Sequence, residues 1–295
     1  MKRIITHSGG FHCDDIFAVA TIELMLDQSA TPYTIVRTRE QTDFETGDFV
    51  VDVGGIYNPT LNRFDHHQEG GAGARPNGIP YASFGLVWKE FGTRLCGSEA
   101  IAEKIDRRLV APVDGIDSGM LVYEPKFEGV YEYSIAYYFD AFSPTWKEPE
   151  VTPSDVFLTM VARAKELLAR EIKRNQDKAE ADAKVRELYE ASPDKRIIEF
   201  VTHYPWKETL TEFPEPLFII SPREDRKYQV YAVPKGDPRE MKYRKYLPRE
   251  WAGLRDADLA RVSGVPDALF CHNDCFIAVA GSLDGARALA QKALK

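Results

Sequence analysis

The chain has 295 residues, of which 44% are hydrophobic and 12% aromatic, so it is long enough to bury one or two globular cores. Its formal net charge of −8 is uneven: residues 1–150 carry 23 acidic against 13 basic residues, whereas residues 151–295 carry 23 acidic against 25 basic. The longest apolar stretch, residues 16–26, is too short to span a membrane, and Asp14 and Asp15 disfavour a secretory signal. We therefore expect a soluble cytoplasmic protein with reduced cysteines and no membrane partner.

Hydrophobic patterns in the first half of the chain alternate between short strands and helices. Strands are predicted at residues 3–6, 33–38, 49–53 and 62–65, and helices at 15–27, 82–91 and 98–109. This order is typical of an α/β domain with a mostly parallel sheet. Because ligands of such sheets bind beyond the carboxyl ends of the strands, residues that follow these strands are candidates for function.

The second half begins with a long helical pattern. Residues 154–190 contain neither proline nor glycine, and a helix of this length would extend roughly 50 Å. Strand-like runs follow at 197–201, 217–220 and 228–233, and a final helix is predicted at 283–294. The sequence therefore predicts an α/β domain at 1–150, a connecting helix at 151–191 and a smaller α+β domain at 192–295.

Four of the six histidines lie in two groups among carboxylates. The first group is His7, His12 and Asp14, and the second is the tripeptide Asp65-His66-His67. Imidazole and carboxylate ligands suit borderline divalent ions such as Mn²⁺ or Zn²⁺. Two such groups, together with an aspartate at the end of another predicted strand, indicate a dinuclear metal site and a metal-assisted hydrolase.

Each group has an ordinary structural explanation when it is taken alone. The adjacent histidines could be a surface pair, Asp14 and Asp15 could cap a helix, and Asp114 and Asp117 could form a turn. Their joint placement at strand ends favours the metal site. Because His66 and His67 are adjacent and point in different directions, one would bind metal and the other would face substrate. The chain has no GxxxxGK[ST], GxGxxG or GxSxG motif, which disfavours nucleoside-triphosphate or dinucleotide binding of those kinds and a serine hydrolase.

Residues 223–249 combine basic and aromatic side chains. Nine basic residues face four acidic ones, and Tyr228, Tyr231, Tyr243 and Tyr246 lie among them. This composition would suit binding of single-stranded nucleic acid, because basic side chains contact phosphates and aromatic rings stack on bases. A solvated loop with inward-packed tyrosines is the alternative.

Several motifs together resemble one known family. They are THSGGFHCDD, VVDVGG, YNPTLNRFDHHQ, VDGIDSG and LPREWAGLRDADLARVSGVPDALFCH. In combination they are similar to the melanocyte-proliferating-gene family of DHH-type metal-dependent hydrolases, and the match covers nearly the whole chain. The resemblance implies a DHH phosphoesterase domain with two Mn²⁺-like ions, and a 3′→5′ exonuclease activity on RNA.

The resemblance also implies functional residues. The metal ligands would be His7, His12, Asp14, Asp52 as the bridging carboxylate, His66, and Asp117 with Asp114 as the alternative. The catalytic residues would be Asp65, His66 and His67. The chain departs from the family pattern in two places: its first motif is His7 followed by His12-Cys-Asp14 instead of His-x-x-x-Asp-x-Asp, and the C-terminal glycine-histidine motif of DHH exonucleases is absent.

The leading prediction is therefore a metal-dependent phosphodiesterase that acts on RNA as an exonuclease through a two-metal-activated water. Substrate contacts are predicted at His67, Arg223, Arg244, Lys245 and His272. The alternatives are a hydrolase of small phosphate compounds, such as short oligonucleotides, cyclic dinucleotides or phosphoanhydrides, and a catalytically silent binding module. Homo-oligomerisation is left open by the sequence.

Overall fold

The structure of the protein is a computed structural model that describes residues 1–237 and 240–295. The described chain divides into two compact units, residues 1–176 and residues 177–295. We predicted domain boundaries at the two ends of a long helix, whereas the division of the compact units falls inside that helix. The physical reason is that the helix buries apolar side chains in both units: Phe157 and Leu168 belong to the core of the first, and Val185 and Tyr189 to a core of the second.

The first unit is built on a five-stranded sheet. Its strands are β1 (Lys2–Thr6), β2 (Tyr33–Arg37), β3 (Phe49–Val51), β4 (Tyr57–Asn58) and β5 (Arg63–Phe64). They lie in the order β2-β1-β3-β5-β4, and every neighbouring pair is parallel except β4 with β5. The helices are α1 (Cys13–Gln28), α2 (Gln41–Thr46), α3 (Ser83–Cys96), α4 (Glu99–Ile105), α5 (Ala111–Asp117), α6 (Ile135–Asp140) and the long α7 (Pro153–Ala191).

Helix α1 lies at the centre of this unit. Most of its residues are buried, and it packs against α3 through the stacked rings of Phe17 and Phe84, whose centroids are 4.9 Å apart. Burial on several sides explains why its sequence is apolar around most of the helix and not along one stripe. As a consequence, the N-terminus of α1 places polar residues inside the protein.

The second unit is smaller and mixed. Its strands are β6 (Ile197–Glu199), β7 (Phe218–Pro222), β8 (Tyr228–Ala232), β9 (Ala268–Cys271) and β10 (Ile277–Ala280), and its helices are α8 (Lys207–Thr211), α9 (Asp256–Ser263) and α10 (Leu283–Ala293), besides the end of α7. The strand order is β6-β7-β8-β10-β9, with only β6 and β7 parallel. Helix α10 packs on the sheet face that carries Phe218 and Ile220, and the end of α7 packs with Ile219, which points the opposite way.

The predicted fold class is confirmed: an α/β unit with a mostly parallel sheet, a long helix and a smaller α+β unit. The sequence did not predict the short strands β4, β9 and β10 or the helices α2, α5, α6, α8 and α9. Helix α5 is the important omission, because it carries both Asp114 and Asp117, which we interpreted as residues before a glycine turn. None of the helices in the described parts of the chain combines the length and apolarity of a membrane span.

Helices α3 and α5 approach each other closely at Gly85. The backbone N–H of Gly85 donates to Asp114 Oδ1 at 3.0 Å, and a Cβ atom at this position would overlap Asp114 Oδ2. A side chain here would therefore separate the two helices. Gly10 makes a matched control, because a Cβ there meets no atom within 4 Å.

We expect Gly85→Ala to lower the free energy of unfolding by roughly 1–3 kcal/mol, since overpacking forces neighbouring groups apart. Gly10→Ala should change that free energy by less than about 0.5 kcal/mol. Urea unfolding followed by circular dichroism measures both. Equal stability of the two variants would show that α3 and α5 are not in close contact at Gly85.

Candidate metal centre

The carboxyl ends of three parallel strands meet at one edge of the first sheet. His7 follows β1, Asp52 follows β3, and the tripeptide that begins at Asp65 follows β5. Asp52 adopts a left-handed backbone conformation with φ of 56°, which turns the chain sharply at the strand end. The parallel register therefore brings together residues that are far apart in the sequence.

Asp52 lies at the centre of the cluster and is buried. Its Oδ1 lies 3.2 Å from His66 Nε2 and 3.6 Å from His67 Nδ1, and its Oδ2 lies 3.3 Å from His7 Nε2. Ser83, the first residue of α3, donates its hydroxyl to Asp52 Oδ1 at 3.0 Å. Both carboxylate oxygens of Asp52 are thus directed at imidazoles, which is the placement required of a bridging ligand.

The N-terminus of α1 supplies a second carboxylate. Asp14 is fully buried, and its Oδ2 accepts the backbone N–H of Ser83 at 3.3 Å and lies 3.9 Å from His66 Nε2. Asp117, at the end of α5, also approaches the cluster, with Oδ2 3.4 Å from His66 Nε2 and Oδ1 4.0 Å from His12 Nδ1. His12 precedes α1 and has an exposed ring.

Three sets of ligand atoms are compact enough to hold a cation. Among the residues that the structure describes, each set has three candidate ligand atoms within 4.8 Å of one another. The sets are His7, His12 and Asp52; Asp52, His66 and His67; and His12, Asp14 and Asp117. All six predicted ligands occur in them, and Asp52 and His12 each occur twice.

Asp65 holds the histidine pair in place. Its Oδ1 accepts the backbone N–H groups of His66 and His67 at 2.7 and 3.1 Å and lies 2.8 Å from His67 Nδ1. Its Oδ2 accepts the backbone N–H of Gly55 at 2.6 Å. With both oxygens occupied in this way, Asp65 acts on the cluster by orienting its neighbours. The ring of His66 is mostly buried, whereas that of His67 is 62% exposed.

Asp114, the alternative ligand, is engaged elsewhere. It is completely buried and its Oδ2 lies 2.8 Å from Arg75 Nη1, while Arg75 also binds Asp106. Burial raises the pKa of Asp114 to about 7 despite the nearby guanidinium of Arg75. The geometry therefore favours Asp117 over Asp114 as the fourth-motif ligand.

Three residues near the cluster were missed or underestimated in the sequence. Asp15 is buried, with Oδ2 3.1 Å from His7 Nε2 and Oδ1 accepting the backbone N–H of His12 at 3.0 Å. Ser83 bonds to both Asp14 and Asp52, as described above. Arg39 lies 3.3 Å from His7 Nδ1 through its Nη2 and contributes to a cavity of about 290 Å³ beside the cluster. In the sequence, only the position of Asp15 next to Asp14 indicated that Asp15 lies near the cluster. No sequence pattern indicated the same for Ser83 or Arg39.

Electrostatics show an excess of negative charge at the cluster. Burial, followed by the charges of Asp52 and Asp117, raises the pKa of the Asp14 carboxyl well above its usual value. Burial would lower the pKa of His7, but the carboxylates of Asp15 and Asp52 outweigh it and raise that pKa to about 10. Burial would likewise raise the pKa of Asp52, but the imidazoles of His66 and His7 outweigh it and lower that pKa. Carboxylates crowded in this way repel each other unless positive charge is supplied.

Unpaired buried atoms agree with this interpretation. Asp14 Oδ1 and His66 Nε2 are buried and have no hydrogen-bond partner among the described residues. His66 Nε2 lies 3.2 Å from Asp52 Oδ1, but the two atoms lack hydrogen-bond geometry. Buried polar atoms normally have partners, and a divalent cation would satisfy both. The donor set of nitrogen and oxygen atoms fits Mn²⁺ or a similar ion.

The predicted substrate contacts in the second unit have different surroundings. The Arg244 guanidinium donates to the backbone carbonyls of Pro216 at 3.1 Å and Thr211 at 2.9 Å, and also to that of Phe213. The Lys245 ammonium donates to the carbonyl of Leu294 at 2.9 Å. These bonds tie both side chains into the fold, so we assign Arg244 and Lys245 a structural role in place of the predicted substrate contact.

The remaining predicted contacts are more accessible. Arg223 is exposed in the turn between β7 and β8, and His272, in the turn between β9 and β10, accepts the backbone N–H of Asp274 through Nδ1 at 3.1 Å. The tyrosines of the basic segment differ in burial: Tyr243 is buried against Phe276, whereas Tyr246 is exposed. Arg239 of the same segment lies outside the described residues.

The fold and the cluster define an α/β protein with a histidine–carboxylate centre suited to divalent cations. The chain belongs to the family described as MYG1_exonuc, Uncharacterised protein family (UPF0160), whose model matches residues 3–294. This confirms the family resemblance noted in the sequence.

Named relatives match over nearly the full length. The chain is 29% identical to the MYG1 exonuclease of Homo sapiens, covering 99% of this chain and 85% of the human protein. It is 29% identical to a MYG1 protein of Caenorhabditis elegans (98% of this chain, 94% of the relative) and 28% identical to one of Schizosaccharomyces pombe (100% and 98%).

Among solved structures, RecJ from Thermus thermophilus in complex with Mn²⁺ aligns with 99% of this chain at 13% identity and a TM-score of 0.28. The chain spans about half of RecJ, 52% of its length. A TM-score this low carries no conclusion about the site.

Asp52 offers the sharpest test of the centre, because two of the three ligand sets include it. We expect Asp52→Ala to lose most bound Mn²⁺, measured by metal analysis after dialysis and by titration calorimetry. Asp48→Ala is the matched control, since Asp48 lies at the opposite end of β3 and pairs with Lys2 at the surface. Full metal occupancy in folded Asp52→Ala protein would show that Asp52 is not a shared ligand.

Proposed function

We propose that the protein is a metal-dependent phosphodiesterase that acts as a 3′→5′ exonuclease on RNA. The observation that carries this proposal is the buried cluster around Asp52, in which unpaired ligand atoms and surplus negative charge both call for cations. Membership of the family supports nuclease chemistry, since several of its named members are exonucleases. The RNA preference rests on the family resemblance and on the basic segment of the second unit.

The proposed ligands are His7, His12, Asp14, Asp52, His66 and Asp117, which together would hold two divalent ions, with Mn²⁺ preferred. Two such ions, when bound, lower the pKa of a coordinated water and stabilise charge that develops on the phosphate. Asp52 would be shared by both ions. Asp15 accepts the backbone N–H of His12 and lies 3.1 Å from His7 Nε2, and Ser83 donates to Asp14 and Asp52, so these two residues would help to position the proposed ligands.

His67 has the geometry of a substrate-facing group. Its Nδ1 lies beside Asp65, so its Nε2, on the other side of the ring, points away from that carboxylate. The exposed ring also lines the cavity of about 290 Å³ beside the cluster. We propose that His67 holds a proton for the leaving oxygen while Asp65 fixes the orientation of its ring.

Arg39 supplies fixed positive charge at the same cavity. Its Nε donates to the carbonyl of Ser8 at 3.2 Å, which anchors the guanidinium beside His7. Because Asp52 and Asp65 also line the cavity, this guanidinium would offset part of their charge and help the cavity to receive a phosphate oxygen.

A substrate panel tests the function directly. We expect Mn²⁺-dependent release of mononucleotides from the 3′ end of single-stranded RNA carrying a 5′ label, loss of activity with a chelator, and recovery on adding Mn²⁺. Single-stranded DNA, dinucleotides, cyclic dinucleotides and pyrophosphate are run in parallel. Preferential hydrolysis of a small phosphate compound would instead favour a hydrolase of such compounds. If no substrate is hydrolysed, the nuclease proposal is wrong and a catalytically silent binding module is favoured.

The roles of the adjacent histidines can be separated. We expect His66→Ala to weaken Mn²⁺ binding together with turnover, and His67→Ala to retain Mn²⁺ affinity while kcat falls roughly 10²–10⁴-fold, the usual contribution of a general acid. Calorimetric Mn²⁺ titration and single-turnover kinetics measure the two effects. If His67→Ala loses metal and His66→Ala does not, the two assignments are reversed.

A further inference from the structure

A cavity of about 390 Å³ lies in the second unit, at the turn between β7 and β8, the start of α9, and strands β9 and β10. It is separate from the residues of the metal centre. Three cations line it, Arg223, Lys227 and Arg255, together with the aromatic ring of Phe270. Two carboxylates, Asp225 and Asp256, also contribute to its wall.

The wall of the cavity contains a stacked pair. Arg255 places its guanidinium carbon 4.7 Å from the centre of the Phe270 ring. Phe270 is opposite Val279 in the β9–β10 ladder and neighbours the buried Cys271, which points into the α10 side of the sheet. Phe270 therefore stands on the other face, where it is partly exposed. An aromatic ring beside a planar guanidinium offers a stacking surface that accepts any nucleobase.

The cations of the β7–β8 turn are held close together but only loosely. Arg223 and Lys227 each lie 3.3 Å from a carboxylate oxygen of Asp225, and the three side chains are 39–45% exposed. Exposed ion pairs of this kind contribute little stability, so the two cations can turn to a phosphate at small cost.

The start of α9 adds a further anion-favouring element. Arg255 occupies the N-cap position, and no side chain caps this end of the eight-residue helix. Helix N-termini with free N–H groups attract anions. The negative charge of Asp256 at the first helical position opposes this effect, so the three cations carry most of the attraction.

We propose that this cavity binds one nucleotide of a single-stranded nucleic acid, with its base against Phe270 and Arg255 and its phosphate between Arg223 and Lys227. The inference rests on the proposed nuclease function and assigns part of its substrate binding to the second unit. A substrate too short to occupy the cavity gains nothing from it. The cavity therefore contributes to affinity for long strands and leaves the chemistry at the metal centre unchanged.

The test uses the full chain carrying Asp52→Asn, so that hydrolysis does not interfere, and a fluorescently labelled RNA of about twelve nucleotides, near the upper site size of a single-strand-binding module, followed by anisotropy. We expect Arg223→Gln/Lys227→Gln to weaken binding roughly tenfold and to reduce the slope of log affinity against log salt by about one, as lost phosphate contacts release fewer counterions. The matched control is Arg261→Gln/Lys184→Gln, which removes two exposed, ion-paired cations of the same unit outside the cavity. The control should bind as tightly as the parent.

The stacking contact has its own test. An RNA with several abasic positions should bind the parent protein more weakly than intact RNA, and Phe270→Leu should reduce that difference. Circular dichroism and thermal unfolding establish that each variant is folded. Equal losses in the cavity variants and the control, or unchanged binding in all of them, would overturn the proposal.

Hydrolysis separates this inference from the proposed function. With Asp52 intact, the cavity variants should raise the KM for the twelve-nucleotide RNA more than the KM for a dinucleotide. If the parent hydrolyses RNA but the cavity variants bind it normally, only the cavity assignment is wrong. If the parent hydrolyses no nucleic acid while RNA binding still depends on the cavity, the nuclease proposal fails and the binding site stands.

Discussion

Mutual repulsion among buried carboxylates is the constraint on which the first unit depends. Asp14, Asp15 and Asp52 are almost completely removed from water, and Asp117 is largely removed. Burying one unpaired carboxylate is costly, and burying several together is more so. The imidazoles of the cluster offset part of this charge, and backbone N–H groups offset a further part. What remains is surplus negative charge, which a bound cation would offset.

The scaffold that maintains this arrangement is buried and apolar. Three strand ends, the first turns of α1 and α3, and the last turn of α5 each contribute one part of the centre. Helix α1 is buried along most of its length, so the positions of Asp14 and Asp15 follow from core packing around Phe17 and not from a flexible loop. Packing of the core therefore fixes the positions of the candidate ligand side chains. The strained turn at Asp52 is tolerated because the surrounding elements leave that residue no alternative.

The second unit shows why composition alone does not decide which basic residues are open to a ligand. The basic and aromatic character of residues 223–249 predicted nucleic-acid binding, but Arg244 and Lys245 use their charges on backbone carbonyls and Tyr243 is part of the core. The open basic surface lies instead where Arg223 and Lys227 face Arg255 and Phe270, residues from two separate parts of the sequence. A count of charged residues cannot distinguish a guanidinium that donates hydrogen bonds within the fold from one that faces solvent.

The sequence alone determined the fold class and the family, and it indicated several residues of the candidate centre. Periodicity located most of the longer strands and helices, and His7, Asp52 and the Asp65 tripeptide were recognisable because each directly follows a strand, a local pattern. Tertiary structure alone decided that Asp117 and not Asp114 faces the cluster, that Asp15 and Ser83 lie against the candidate ligands, and that Arg39 lies beside His7. It also brought Arg255 against Phe270. These relations join residues distant in sequence or depend on the rotation of a short helix, and neither leaves a periodic signal in the chain.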